Sequence, residues 1–183
     1  MKQSQIDLLV MAAQNGNLKA FEALFKHFNS ALLRFAYQLS NNETVAHDAV
    51  QEAWILSTRS IKRLRDPRAF RSWIYRSVRW KTVDLMRQQR TDTISLDEMV
   101  HEPTAKESLE DSVTSSNDLR ELIHQLAEID RQTLHLFYLE EMKISEIAII
   151  LEIPEGTVKS RLNRARNQLR KQLEKSEGDH HGH

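Results

Sequence analysis

The chain has 183 residues, with 26 Lys and Arg against 26 Asp and Glu, 4 Gly, 3 Pro and no Cys. The lack of cysteine excludes a disulfide scaffold, a thiolate metal site and a cysteine nucleophile. No apolar run is long enough to span a bilayer, and Met1-Lys2-Gln3-Ser4-Gln5 has none of the apolar core of a signal peptide, so a cytoplasmic home is expected.

Scarce Gly and Pro, with apolar residues recurring at steps of three and four, predict an all-α protein. The first predicted helix carries Leu18, Phe21, Leu24, Phe25 and Phe28. It continues, with a bend allowed at Asn29-Ser30, through Leu32, Leu33, Ala36 and Leu39, and Asn41-Asn42 ends it. The second spans about residues 44–60, with Val45, Ala49, Ala53 and Leu56 as its apolar stripe. Asp66-Pro67 is a helix start, because Asp accepts free first-turn N–H groups and Pro suits the first helical position. The helix it opens is expected over about 67–89. Phe70, Trp73, Ile74, Ser77, Val78 and Leu85 are its inward candidates, and Arg68, Arg71, Arg76, Arg79, Lys81 and Arg87 lie on its other side.

Residues 91–117 are rich in Ser, Thr, Asp and Glu and carry no sustained apolar period, which reads as a flexible acidic linker. Helices resume at Asp118, which has capping-box spacing to Glu121, and are placed at about 118–127, 130–140, 145–152 and 155–174. The expected architecture is therefore two small helical domains, 1–90 and 118–175, joined by that linker and followed by a disordered tail over 176–183.

Charge is unevenly spread although its sum is zero. From Arg59 to Arg90 the basic residues are opposed only by Asp66 and Asp84, the next two stretches are acidic, and the chain turns basic again from Pro154 to Lys175. Two candidate polyanion-binding surfaces result, although charge alone leaves solvated helix faces open as an explanation.

The most informative segment is C-terminal. Ser145 is placed to cap a short helix carrying Ile147, Ala148 and Leu151, and Glu152-Ile153-Pro154-Glu155-Gly156 supplies a turn. The last helix then puts Val158, Leu162, Ala165 and Leu169 on one face and Lys159, Arg161, Arg164, Arg166 and Arg170 mostly on the others. A helix enters the DNA major groove when its exposed side offers long donors and a small bundle holds its apolar side. Thr157 and Ser160 add short donors suited to phosphate or base edges. A plain helical hairpin with a wet basic face is the bland alternative.

The order of residues is more specific than a generic turn. Glu146-Ile147-Ala148, then Ile153 to Leu162, then Arg164-Ala165-Arg166 and Leu169-Arg170 closely resemble region 4 of extracytoplasmic-function sigma factors of the sigma-70 family. That likeness runs from about Leu122 to Leu173. In the first half, Asp48-Ala49-Val50-Gln51-Glu52-Ala53-Trp54 resembles the family's region 2.2, and Arg68 to Arg79 resembles regions 2.3 and 2.4. Larger sigma factors' regions 1.1 and 3 have no counterpart. Three positions depart from the family's pattern. Trp80 stands where Asn is usual, Ala127 where Pro is usual, and Glu152 where Gly is common.

The resemblance implies a role for each group. Asp48, Gln51, Glu52 and Trp54 would contact the β′ clamp helices of core RNA polymerase. Lys62, Arg63, Arg65, Arg68, Arg71, Trp73, Tyr75, Arg76, Arg79 and Trp80 would melt and hold the −10 element, since open strands suit cationic grooves with aromatic platforms. Core packing is the competing reading for Phe70, Trp73 and Ile74. Thr157, Lys159, Ser160, Arg161, Arg164 and Arg166 would read the −35 duplex. Further implied partners are the polymerase β flap, promoter DNA and an anti-sigma protein, often membrane-anchored, with no insertion of this chain itself into a membrane.

Other functions are weakly signalled. No phosphate-binding Gly loop or nucleophile–base pair is present, so no enzyme and no cofactor is expected. The tail Gly178-Asp179-His180-His181-Gly182-His183 offers at most a weak metal site, and none is assigned. A stand-alone helix-turn-helix regulator accounts for Pro154 to Lys175 but not for the first half, and an interaction-only adaptor would show no DNA affinity.

Overall fold

The computed structural model describes residues 1–96, 122–123 and 125–180, with the side chains of those up to 91 and 174 in the two long stretches. Among these residues the architecture is helical throughout. Helix α1 (Gln3–Gln14) buries Ile6, Val10 and Ala13, a stripe at steps of four and three. This helix was not among the expected elements. Just beyond its end the chain turns at Gly16, whose φ of 88° is a backbone conformation that glycine adopts without a Cβ clash.

Helix α2 (Leu18–Ser40) begins where the Asn17 side chain accepts the Ala20 N–H at 3.1 Å. It runs unbroken through Asn29-Ser30. Asn41 closes it in the left-handed region, and Asn42 then caps α3 (Glu43–Ser60) by accepting the Val45 N–H. In α3 the buried face is Val45, Ala46, Ala49, Val50, Ala53, Trp54 and Ser57, whereas Leu56, expected inward, is exposed. The small Ala residues let α3 lie close to its neighbours.

Asp66 caps as expected, accepting the Arg68 N–H at 3.0 Å. The chain then makes a tight turn (Pro67–Ala69) before entering α4 (Phe70–Leu96). Helix α4 extends into the stretch read as linker, and residues 97–117 of that expected linker lie outside the described residues. So does half of the helix expected over 118–127, including its Asp118 and Glu121 capping box, and at residues 125–127 the chain turns instead of continuing that helix. Leu24, Leu32, Phe35, Phe70, Ile74 and Val78 make the core of a four-helix module from α1 to α4.

The second module begins with α5 (Glu128–Leu134), which widens into a π-type turn over His135–Leu139. Helix α6 (Ile144–Leu151) starts earlier than its expected cap allows. Lys143 rather than Ser145 takes the cap position, with the Lys143 N–H donating to Glu146 Oε2 at 3.0 Å. Helix α7 (Glu155–His180) outruns its expected end at 174 and enters the tail read as disordered, of which residues 181–183 lie outside the described residues. Leu136, Ile147, Ile150, Leu151, Val158, Leu162 and Ala165 form the second core. The modules touch where α6 lies on α4 and where Phe35 meets the His135 ring at 5.6 Å.

Candidate nucleic-acid and polymerase interfaces

Helix spacing decides what α3 offers. Asp48, Gln51 and Glu52 sit three and four residues apart, so they share one exposed face. Glu52 takes the Lys81 ammonium of α4 at 2.9 Å. Trp54 is not on that face. It is 5% exposed and wedged between α2 and α3, edge-on to Phe21 and tilted on Phe25 at 5.2 Å.

The cationic loop is shaped from α1. Gln14 Nε2 donates to the carbonyls of Ile61 and Leu64 at 3.0 and 2.7 Å, which folds residues 61–64 inward at Ile61 and leaves Lys62, Arg63 and Arg65 in solvent. Arg68 is also exposed but grips Asp66 through Nε and Nη2, and that grip holds the Asp66 carboxyl below its usual range.

On α4 the expected −10 residues divide. Trp73 is partly buried, 5.8 Å from the Phe70 ring, and belongs to the first core. Arg71, Tyr75, Arg76, Arg79 and Trp80 lie on one face, and every one of them meets the second module. The Arg71 guanidinium donates to the Glu140 carbonyl. Tyr75, only 1% exposed, donates its hydroxyl to Glu140 Oε2 at 2.5 Å. Arg76 Nη2 and the Trp80 indole N–H both donate to the Glu152 carboxylate, at 2.6 and 3.1 Å, and Arg79 donates to Gln132 Oε1 at 3.1 Å. Two positions that depart from the family's pattern, Trp80 and Glu152, are thus bonded to each other.

Glu152 carries this contact at a backbone cost. It ends α6 with φ 57°, a left-handed position that favours glycine, and strain of about 1 kcal/mol or more is usual there for other residues. Its partner Arg76 is nearly half exposed, so water and salt limit the pair to about 0–1 kcal/mol. The two effects nearly offset. Glu152→Gly is therefore expected to leave the thermal midpoint unchanged or slightly raised while freeing Arg76 and Trp80. A drop worth more than about 1 kcal/mol would show that the clamp outweighs the backbone relief.

Helix α7 presents the second cationic surface. Lys159, Ser160 and Arg166 are exposed, and Thr157 is half-buried in the first turn. Arg161 and Arg164 turn back to Asp130 of α5, a side chain only 2% exposed. Ser160, Asn163, Arg164, Asn167, Gln168 and Lys171 line a shallow outward groove. Of these, Asn163, Asn167, Gln168 and Lys171 escaped the sequence reading, although they follow Ser160 at helical spacing and the first three offer amides that pair with adenine edges. Asp130 and Glu140 escaped it too, and no local signal marks them, whereas Glu152 was marked only as a departure from the family's pattern.

No helix among the described residues is long and apolar enough to cross a membrane. Residues 24–91 match the family model for Sigma-70 region 2, and residues 116–169 match that for Sigma-70, region 4. The ECF RNA polymerase sigma factor SigW of Bacillus subtilis (strain 168) is 28% identical over 176 residues, covering 90% of this chain and 94% of that protein. The ECF RNA polymerase sigma-E factor of Escherichia coli (strain K12) is 30% identical over 174 residues, covering 88% of this chain and 91% of that protein. Two solved structures share the fold. CnrH, in complex with the cytosolic domain of CnrY, superposes with a TM-score of 0.68 at 24% identity, over 93% of this chain and 97% of that one. The sigma factor RpoE from Bartonella quintana, in complex with the anti-sigma factor NepR, superposes with a TM-score of 0.69 at 23% identity, over 85% of this chain and 98% of that one. Two cationic helices on two small modules, matched in order by regions 2 and 4 and by a relative 30% identical along most of its length, lead to one conclusion: the chain belongs to the extracytoplasmic-function sigma factors of the sigma-70 family, which initiate transcription and catalyse nothing.

Proposed function

We propose that the chain docks on core RNA polymerase through Asp48, Gln51 and Glu52, holds the −10 strand with the Lys62–Arg68 loop and the α4 face, and reads the −35 duplex with α7. The carrying observation is the separation of these surfaces, with an acidic face on α3, a cationic face on α4, and a second cationic face on a module of its own. The acidic face suits a basic surface such as the polymerase clamp, and the β flap is assigned to the second module. Open strands suit the loop cations and Trp80, while the long donors of α7 suit a major groove.

The α4 face is already occupied by Gln132, Glu140 and Glu152. Binding of the −10 strand therefore requires the modules to part, and α4 exchanges protein carboxylates for DNA phosphates. An anti-sigma partner fits this scheme as a protein that keeps the surfaces covered, and the structural relative RpoE in complex with the anti-sigma factor NepR supports it. The proposed place of action is the cytoplasm, where polymerase and promoter are.

The test is complex formation with bacterial core RNA polymerase on a native gel. The wild-type chain is expected to bind, and Asp48→Ala/Gln51→Ala/Glu52→Ala to lose the complex. These side chains are exposed and Glu52–Lys81 is a partly exposed pair, so the triple variant should melt within about 1 kcal/mol of wild type. No wild-type complex, with duplex DNA still bound, would favour a stand-alone helix-turn-helix regulator.

A further inference from the structure

Buried carboxylates are costly unless their oxygens are filled by charged donors. Asp130 meets that condition entirely from α7. Its Oδ1 accepts from Arg161 Nη1 at 3.1 Å and Arg164 Nη2 at 2.8 Å. Its Oδ2 accepts from Arg164 Nε at 3.0 Å and Nη2 at 2.6 Å. Arg164 is thus gripped along one side of its guanidinium, through Nε and Nη2. A guanidinium carries five N–H groups in a rigid plane. The side grip uses the Nε–H and one Nη2–H, so the end-on pair formed by Nη1 and the other Nη2–H is the edge left over. The Arg164 side chain is 57% exposed and lines the outward groove of α7.

We infer that Asp130 is a positioning residue that sets base specificity, holding the Arg164 fork so that its end-on edge faces the groove and accepts one bidentate partner, of which guanine O6 and N7 are the matching base edge. This rests on the reading of α7 as the −35 reader. Arg161 serves the same arrangement by loading Oδ1, so that Asp130 has no unfilled oxygen to draw Arg164 inward. A free arginine samples many rotamers and meets phosphates as readily as bases. A clamped one has lost that freedom before DNA arrives, and its binding energy goes to the acceptor pair that fits. The carboxylate's negative charge also offsets part of the attraction for phosphates. It therefore lowers sequence-independent binding while it sharpens readout.

The experiment is selection from a pool of duplexes with a randomised core, using the full chain, followed by affinity measurements on the selected duplex and on a random one. The wild type is expected to select a guanine at one position that Asp130→Asn relaxes by about tenfold, the scale of one good bidentate pair. Binding to random duplex should be unchanged or tighter in the variant. A purely structural ion pair would move both affinities down by the same factor, and that result overturns the inference, as does an intact guanine preference in Asp130→Asn. If Asp130→Asn does not melt cooperatively, Arg164→Lys serves instead. It keeps the charge but has no fork, so the same guanine preference must be lost, read as a fall in the ratio of selected-duplex to random-duplex affinity. A wild-type chain that selects no sequence would instead sink the assignment of α7 as reader, an outcome distinct from the failure of Asp130 alone.

Discussion

Trp54→Ala is expected to remove about 3–5 kcal/mol of stability from the first module, and to weaken polymerase binding only through the unfolded fraction. The Trp54 ring is 5% exposed and fills the seam between α2 and α3. Phe21 meets it edge-on at 5.7 Å and Phe25 at 5.2 Å. Such pairs add about 0.5–1.5 kcal/mol to the burial itself. Truncation would leave a cavity beside the Phe21 and Phe25 rings. Among the described residues its indole N–H has no hydrogen-bond partner, so Trp54→Phe keeps most of the packing, removes an unsatisfied donor and should cost far less. Urea unfolding followed by circular dichroism separates the variants. An unchanged midpoint for Trp54→Ala, together with a lost polymerase complex, would return Trp54 to the docking face.

Glu140→Gln is expected to loosen the two modules by about 1–3 kcal/mol, the range for buried donors left short of their acceptor. Glu140 is the meeting point of four groups. Tyr75 donates to Oε2, Arg71 to the backbone carbonyl, and His135 and Arg34 approach Oε1 at 3.5 and 3.6 Å. Burial pulls the Glu140 carboxyl upward, but His135, the Tyr75 hydroxyl and the Arg34 charge together outweigh it and hold it below its ordinary value of 4.5. Burial first, and then the facing Glu140 carboxylate, push the Tyr75 hydroxyl far above its ordinary range, so it stays a neutral donor.

The sign of the pH effect follows from the lowered carboxyl. When the modules part, Glu140 regains its ordinary value. The contact is therefore at full strength above the usual carboxylate range and is lost as pH falls through the lowered value. Small-angle scattering should show the wild type compact at neutral pH and expanding on acidification. Glu140→Gln should be expanded already at neutral pH, with the acid step reduced. In a double-mutant cycle Tyr75→Phe should cost little more once Glu140→Gln is present, because the two side chains share one hydrogen bond. A compact Glu140→Gln protein at neutral pH would place the contact's strength in Phe35 and His135 instead.

Much of the first half was legible because its signals are local. Asp66 marks a helix start through a bond to the residue two positions on, Asn41-Asn42 marks a helix end, and the stripe from Leu24 to Leu39 repeats within one helix. Helix α1 was as legible in principle, since Ile6, Val10 and Ala13 carry the same spacing, but its polar start masks it. The start of α6 was misplaced for a different reason. Ser145 has the residue type of a cap, yet Lys143 takes the position because the Glu146 carboxylate reaches back to its N–H. On α3, the expected stripe is right at Val45, Ala49 and Ala53 and misses only at Leu56, since Trp54 and Ser57 take the buried positions there and Trp54 finds Phe21 and Phe25 on a neighbouring helix that local periodicity does not see.

The helical class, the helix-turn-helix, the two cationic blocks and the family are all written in runs of neighbouring residues along the chain, and a reading of the chain alone recovers them. Which cations are free is a matter of packing between distant segments. Arg71 meets Glu140 across 69 positions, Arg76 meets Glu152 across 76, and Arg164 meets Asp130 across 34. These pairs depend on how helices of separate segments stack and in what register. That is set by the packing of Phe35, Ile74, Ile147 and Val158 in the cores, and no local pattern of charge encodes it.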